Sequence, residues 1–255
     1  GAEGVLADGA TARWTTRGKN TDWRVKLTLP TNSGLREMFF EDNNKSTTGI
    51  NYKLLGELSK SGGIIFPITP SVIIQHTASY SQLATTHANY PYYAYQNSEP
   101  ANMTIVGEFP VQNQTDAAYW VGTIHFLRAV TKMFFGGNDG TRGNPPPILK
   151  LNGYGNHVFN NVPVIVTNFT CELRSDVDYI STAQGKKVFD YESEAAIKQD
   201  QNPRFDANSQ IPETWAPSLS TITVQLQPIY SRDTVKNFSM REFVSGRLSN
   251  FGSKG

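Results

Sequence analysis

Four histidines, one cysteine and two aspartates separated by a single residue are the side chains here best equipped for chemistry. His76, His87, His125 and His157 have no His or Cys at metal-ligand spacing, and no H-E-x-x-H occurs. His125 has Arg128 three residues on, a poor setting for a ligand, so structural or surface roles are expected for all four. Cys171 falls in a strand-like run and reads as a small buried hydrophobe. A lone Cys can form neither an intrachain disulfide nor a Cys-based metal site. Asp176 and Asp178 place two carboxylates on one side of an extended segment. They lack the Gly and the terminal Glu of an EF-hand loop, so a turn or an ion pair is expected. The glycine loop Gly136–Gly143 has no Gly-Lys-Ser/Thr ending and would follow a helix instead of opening one, which excludes a P-loop. There is no G-x-S-x-G elbow. No catalytic residue, metal site or cofactor is expected, and the chain is not read as an enzyme.

Composition points the same way. Lys and Arg total 23 against 22 Asp and Glu, a formal net charge of +1, which argues against a general nucleic-acid binder. It is compatible with a pore that nucleic acid crosses without being gripped. No apolar run approaches the ~20 residues of a membrane span. Gly1–Gly9 lacks the basic-then-apolar layout of a signal peptide, and a start at Gly1 is expected of a trimmed piece of a longer chain. With 21 Gly and 14 Pro in 255 residues, short strands joined by turns are favoured over long helices.

The elements that would carry any site follow from periodicity. Trp23, Val25, Leu27 and Leu29 alternate with polar residues and predict a strand that Pro30 ends. Residues 35–61 read as a polar insertion with a short helix near Lys53–Leu58. Ser71–Thr77 is rich in Val and Ile and predicts a strand. The Tyr80–Asn97 stretch, with Tyr90, Tyr92, Tyr93 and Tyr95, interleaves its aromatics with Asn, Ala, Pro, Gln and His but no Lys or Arg. Core or interface is therefore expected instead of single-strand nucleic-acid binding. Met103, Ile105, Gly107 and Phe109 share one face of a predicted strand. Thr115–Phe135 predicts a helix whose Trp120, Ile124, Leu127 and Phe134 pack on a sheet, with Thr115 as cap and Gly136–Gly137 as stop. Ile148–Gly153 and Val162–Leu173 predict strands, residues 184–216 a second polar excursion with a short helix near Glu192–Lys198. Thr221–Gln227 predicts a strand with Ile222, Val224 and Leu226 inward. One domain is expected over 1–255, with a flexible segment 1–20 and an extended tail 233–255.

Four blocks resemble, in order, the tail-tube cap family of contractile-tailed phage baseplates, with phages of marine cyanobacteria among the near relatives. They are Ala88–Ser98, Ile124–Gly136, Gly143–Gly153 and Asp176–Ile180, within a match from about Asp22 to Arg232. Loops 35–61 and 184–216 match no block. The resemblance implies a tail-tube-type β-sandwich or half-barrel with one flanking helix, six copies forming a ring. Such a ring would sit between the baseplate hub and the tail tube, seed the first tube ring and line the channel through which the genome leaves. It implies a virion protein made in the host cytoplasm. Its partners would be itself, the tail-tube protein, the initiator or hub proteins, and sheath or wedge proteins. DNA would pass without specific binding, and no membrane would be engaged. Tyr90, Tyr92, Tyr93 and Tyr95 would contribute partly to the core and partly to the subunit interface. Phe238, Phe243, Leu248 and Phe251 would reach a neighbouring subunit or the adjoining ring. The alternative from another class is a receptor- or carbohydrate-binding β-sandwich of a virion, with the tyrosines as a sugar platform.

Overall fold

The computed structural model describes residues 23–31, 34–40, 54–87, 89–100, 102–134, 143–155, 157–182 and 214–246. The chain is mainly β, with several antiparallel sheets and few helices. The strands are β1 (Lys26–Thr28), β2 (Gly63–Ile65), β3 (Ser71–Ile73), β4 (His76–Leu83), β5 (Tyr92–Pro100), β6 (Met103–Pro110), β7 (Leu149–Gly153), β8 (Phe159–Cys171), β9 (Tyr179–Ser181), β10 (Trp215–Pro217) and β11 (Leu219–Pro228). The helices are α1 (Gly34–Phe40), α2 (Gly56–Ser59), α3 (Gln114–Val130), α4 (Arg232–Lys236) and α5 (Met240–Val244). Seven strands make one sheet in the order β2-β1-β7-β8-β11-β6-β3, while β4 with β5 and β9 with β10 form separate two-stranded ladders.

Alternation decides which face of the large sheet is covered. Leu27 of β1, Leu149 and Leu151 of β7, Ile105 of β6 and Ile222, Val224 and Leu226 of β11 are buried without accessible surface. Their neighbours on the opposite face include Thr28, Lys150, Thr104, Glu108, Thr223 and Gln225, none of them buried. The inward sets predicted for β6 and β11 are the ones observed. Trp23 departs from the pattern: its side chain is exposed, although its carbonyl accepts from the Tyr154 amide at 2.7 Å and Val25 beyond it is buried.

The sheet cannot be flat. Seven strands laid side by side would span about 29 Å at ~4.8 Å each. Yet only Phe66–Pro70 joins edge strand β2 to edge strand β3, and those residues reach at most ~21 Å. The strands therefore curl around the buried face. Phe66 crosses that face and packs on Phe109 with ring centroids 5.7 Å apart. Gly107 makes room for it, since a Cβ there would lie 2.4 Å from the Phe66 ring.

Helix α3 forms the second layer. Its start differs from expectation: Asn113, not Thr115, is the cap, and its side chain accepts from the Asp116 amide at 2.9 Å. Asp116 in turn accepts from the Gln112 amide, so the first turn is closed from both sides. The helix ends at Val130, short of Phe135. The Thr131 hydroxyl donates back to the Arg128 carbonyl at 3.0 Å, and beyond it Phe134 exchanges backbone hydrogen bonds with Gly143 and Asn144. Trp120, Ile124 and Leu127 lie in the core as expected; Phe134 is a half-buried residue outside the helix and outside that core. The Trp120 indole N–H donates to the Ser220 hydroxyl of β11 at 2.8 Å, fastening helix to sheet. At Gly122 the helix meets Leu58 of α2, where a Cβ would stand 2.6 Å from the leucine methyl.

The insertion 35–61 is less polar in its role than its composition suggested. Phe39 and Phe40 of α1 bring their rings to 5.9 and 6.3 Å from Phe126 of α3. Leu58 is fully buried. The short helix expected near Lys53–Leu58 is α2. The helix expected near Glu192–Lys198, the segment 1–20, and Leu248 and Phe251 of the tail lie outside the described residues.

Candidate interaction surface

The residues with chemical potential do not converge. Among the described residues no three His, Cys, Asp or Glu are grouped to hold a metal ion. Asp176 pairs with Arg174, which donates from Nε at 2.9 Å, and Tyr179 donates to the Arg174 carbonyl at 2.8 Å. The carboxyl is held below the usual aspartate range by that hydrogen bond, so of the two expected alternatives the ion pair accounts for Asp176. His125 is exposed on α3; partial burial and the Arg128 charge push its pKa down. Cys171 is half-buried on β8, and burial pushes its thiol up, away from thiolate reactivity.

The tyrosine-rich stretch does converge, though not as a core. It forms the antiparallel β4–β5 ladder, an arm about 26 Å long at ~3.3 Å per residue. Two signals build it. β4 and β5 continue the paired strands β3 and β6, so ladder and sheet form one long hairpin. A bulge at Gln96, between the Ser79–Asn97 and Tyr80–Tyr95 pairs, then separates its tip from its base. The register sorts the tip into two faces. Tyr80, Gln82, Tyr93 and Tyr95 share one; Ser81, Leu83, Tyr92 and Ala94 share the other.

Neither face of the tip is covered. Tyr92 and Tyr93 point to opposite sides, and each keeps 67% of its surface exposed. Tyr80 and Tyr95 meet edge-on with centroids 5.6 Å apart, and the Tyr95 hydroxyl donates to Ser98 at 2.9 Å. Those contacts are internal to the arm. Tyr90, at the turn, is 83% exposed. None of the four tyrosines singled out in the sequence is in the core, which corrects the expectation that some would be. An isolated two-stranded ladder is at best marginal in water, so the arm depends on the sheet at its base. The tip strands carry no charged side chain; Glu99 and His76 sit near the base.

The tail leaves from the same end. Leu226 near the end of β11 pairs with Met103, where the arm enters β6. Beyond β11, Ser231 caps α4 by accepting from the Thr234 amide. Phe238 and Phe243 pack on each other at 5.6 Å. Val235, Met240 and Val244 are exposed beside them. Arm and tail thus present a second uncovered apolar group at one end of the sheet. The sequence singled out the stretch that begins at Tyr80 and these phenylalanines by type; it did not single out Leu83, Val235, Met240 and Val244 as parts of the same surface.

No known family model matches this chain, and no curated protein is similar to it in sequence. Among the described residues no helix is long and apolar enough to cross a membrane.

Proposed function

We propose that this chain is a structural subunit of a ring in a contractile phage tail, at the junction of baseplate hub and tail tube. The observation that carries the proposal is the arm. A ladder of this length with both faces open, tyrosines on each face and no charge at its tip is built for burial against another protein surface. The ordered resemblance to the tail-tube cap family lies on the parts that matter for this reading: the tip and second strand of the arm, α3, β7 and the entry to β9. The curled sheet with one helix layer fits a tail-tube-type half-barrel.

The opposite sheet face supports the channel part of the reading. Thr221, Thr223, Gln225 and Gln227 of β11 stand beside Thr104 and Glu108 of β6 and Asn168 and Thr170 of β8. This face also carries Lys26 and Lys150, set against Glu108; a face with two cations and a carboxylate would offer few sites for counterion release and let DNA slide past. In a ring, head-to-tail contacts would repeat six times and close, and the tube protein would add to the finished surface. Light scattering and electron microscopy of the chain, alone and with tail-tube protein, test this. Six-fold rings or seeded tubes are the expected result; a monomer that does neither would overturn it.

One observation favours a second reading. Tyr80, Tyr93 and Tyr95 share a face of the arm, and exposed rings so placed could stack on sugars. Titration with surface glycans, read by tyrosine fluorescence, separates the two: saturable quenching is expected only of a carbohydrate-binding virion module.

A further inference from the structure

The arm is the part of the chain whose pairing the core does not decide. A strand's register is specified where one face is buried, and it slips easily where both faces are open. Two other register shifts among the described strands belong to β8, where it pairs with β7 and with β11. There Phe159, Val164 and Val166 are in the core and hold the strand in place. The shift at Gln96 lies in the β4–β5 ladder, where none of the described side chains is buried. Ser79–Asn97 and Tyr80–Tyr95 flank it, so β5 has one residue more than β4 matches.

Without the bulge, the base of the arm would continue as Tyr80–Gln96, Ser81–Tyr95, Gln82–Ala94 and Leu83–Tyr93. Tyr93 and Tyr95 would then share a face with Leu83, opposite to Tyr80. The bulge instead gathers Tyr80, Tyr93 and Tyr95 on one face. Two contacts exist only in this register, and Tyr95 makes both. Its ring meets Tyr80 edge-on with centroids 5.6 Å apart. Its hydroxyl donates to the Ser98 hydroxyl at 2.9 Å. Residues three apart in an unbroken strand point to opposite faces, so this hydrogen bond requires the extra residue between them. Tyr92, equally part of the tip, takes part in neither contact.

We propose that Tyr95 is the register lock of the arm, a positioning residue that holds the bulge at Gln96 and so presents Tyr80, Tyr93 and Tyr95 as a single face. With both faces of the ladder open, burial does not choose between the two registers, and the contacts of Tyr95 do. That the gathered face is the one used in assembly rests on the ring reading; the lock itself does not.

Backbone NOEs across the arm, measured on the full chain, read the register. In Tyr95→Ala the contacts of Ser81 with Ala94 should weaken and contacts of Ser81 with residue 95 should appear. Their ratio should shift roughly tenfold, for the loss of one aromatic pair and one hydrogen bond. Tyr95→Phe keeps the ring and should shift the ratio less. Tyr92→Ala should leave the pairing as in the wild type. Deleting Gln96 from the Tyr95→Ala chain removes the alternative, because Ser81–Ala94 then follows Ser79–Asn97 in an unbroken ladder. Wild-type pairing should return. Unchanged Ser81–Ala94 contacts in Tyr95→Ala overturn the proposal, as does an equal shift in Tyr92→Ala. If wild-type chains form no rings and seed no tubes, the ring reading falls while the NOE pattern still decides the role of Tyr95.

Discussion

Tyr119 and Trp120 on α3, and Tyr92 and Tyr93 on the arm, are neighbouring aromatic pairs with opposite fates. On the helix, the polar atoms are bound to Ile65 and Ser220, and Phe126 and Leu127 nearby have no accessible surface. On the arm, the rings stand in solvent on both sides of a two-stranded ladder. The first pair lies where two layers meet, so each ring is worth its buried area to folding. The second pair lies where there is no second layer, so its apolar area contributes little until another molecule arrives. On the proposed reading, folding and assembly fall to separate parts of one chain.

The contrast can be broken most severely from the core. Phe126→Ala should cost about 3–5 kcal/mol, as expected for emptying a fully buried aromatic site. Chemical denaturation would measure it. Gly107→Ala attacks the same core by crowding. Its methyl would meet the Phe66 ring at 2.4 Å, and a loss of about 1–3 kcal/mol is expected in the same assay. Asn113→Ala, which deletes the cap of α3, should cost ~1 kcal/mol, with Asn113→Ser close to neutral. At the far end of the scale, Tyr93→Ser on the arm should change stability by no more than ~0.5 kcal/mol, since no neighbouring layer loses a contact.

The same contrast explains what could be read from the residues alone. β6 and β11 were legible because one face is buried and the other is not, which forces Met103, Ile105 and Phe109, and Ile222, Val224 and Leu226, into period two. The core side of α3 was legible for the same reason. The arm was recognisable by its tyrosines but not as paired strands. With both faces exposed, nothing selects apolar residues at every second position. The overlong helix and the misplaced Phe134 have a local cause: Met133 and Phe134 extend the apolar pattern past Thr131, whose hydroxyl ends the helix by bonding Arg128. Phe39 and Phe40 were hidden in a stretch whose average polarity masked two core-facing rings. The curl of the sheet and the paired hydrogen bonds of the Tyr119 hydroxyl with Ile65 of β2 depend on contacts between residues far apart in the chain, and periodicity carries no signal of them.

The division between a folding core and an assembling arm is tested most directly by Tyr92→Ser combined with Tyr93→Ser. Its thermal melt and its mass with tail-tube protein would be measured beside the wild type. The account predicts an unchanged melt together with loss of rings and of seeded tubes. A melt that falls steeply, or rings and tubes that persist in the variant, would contradict it.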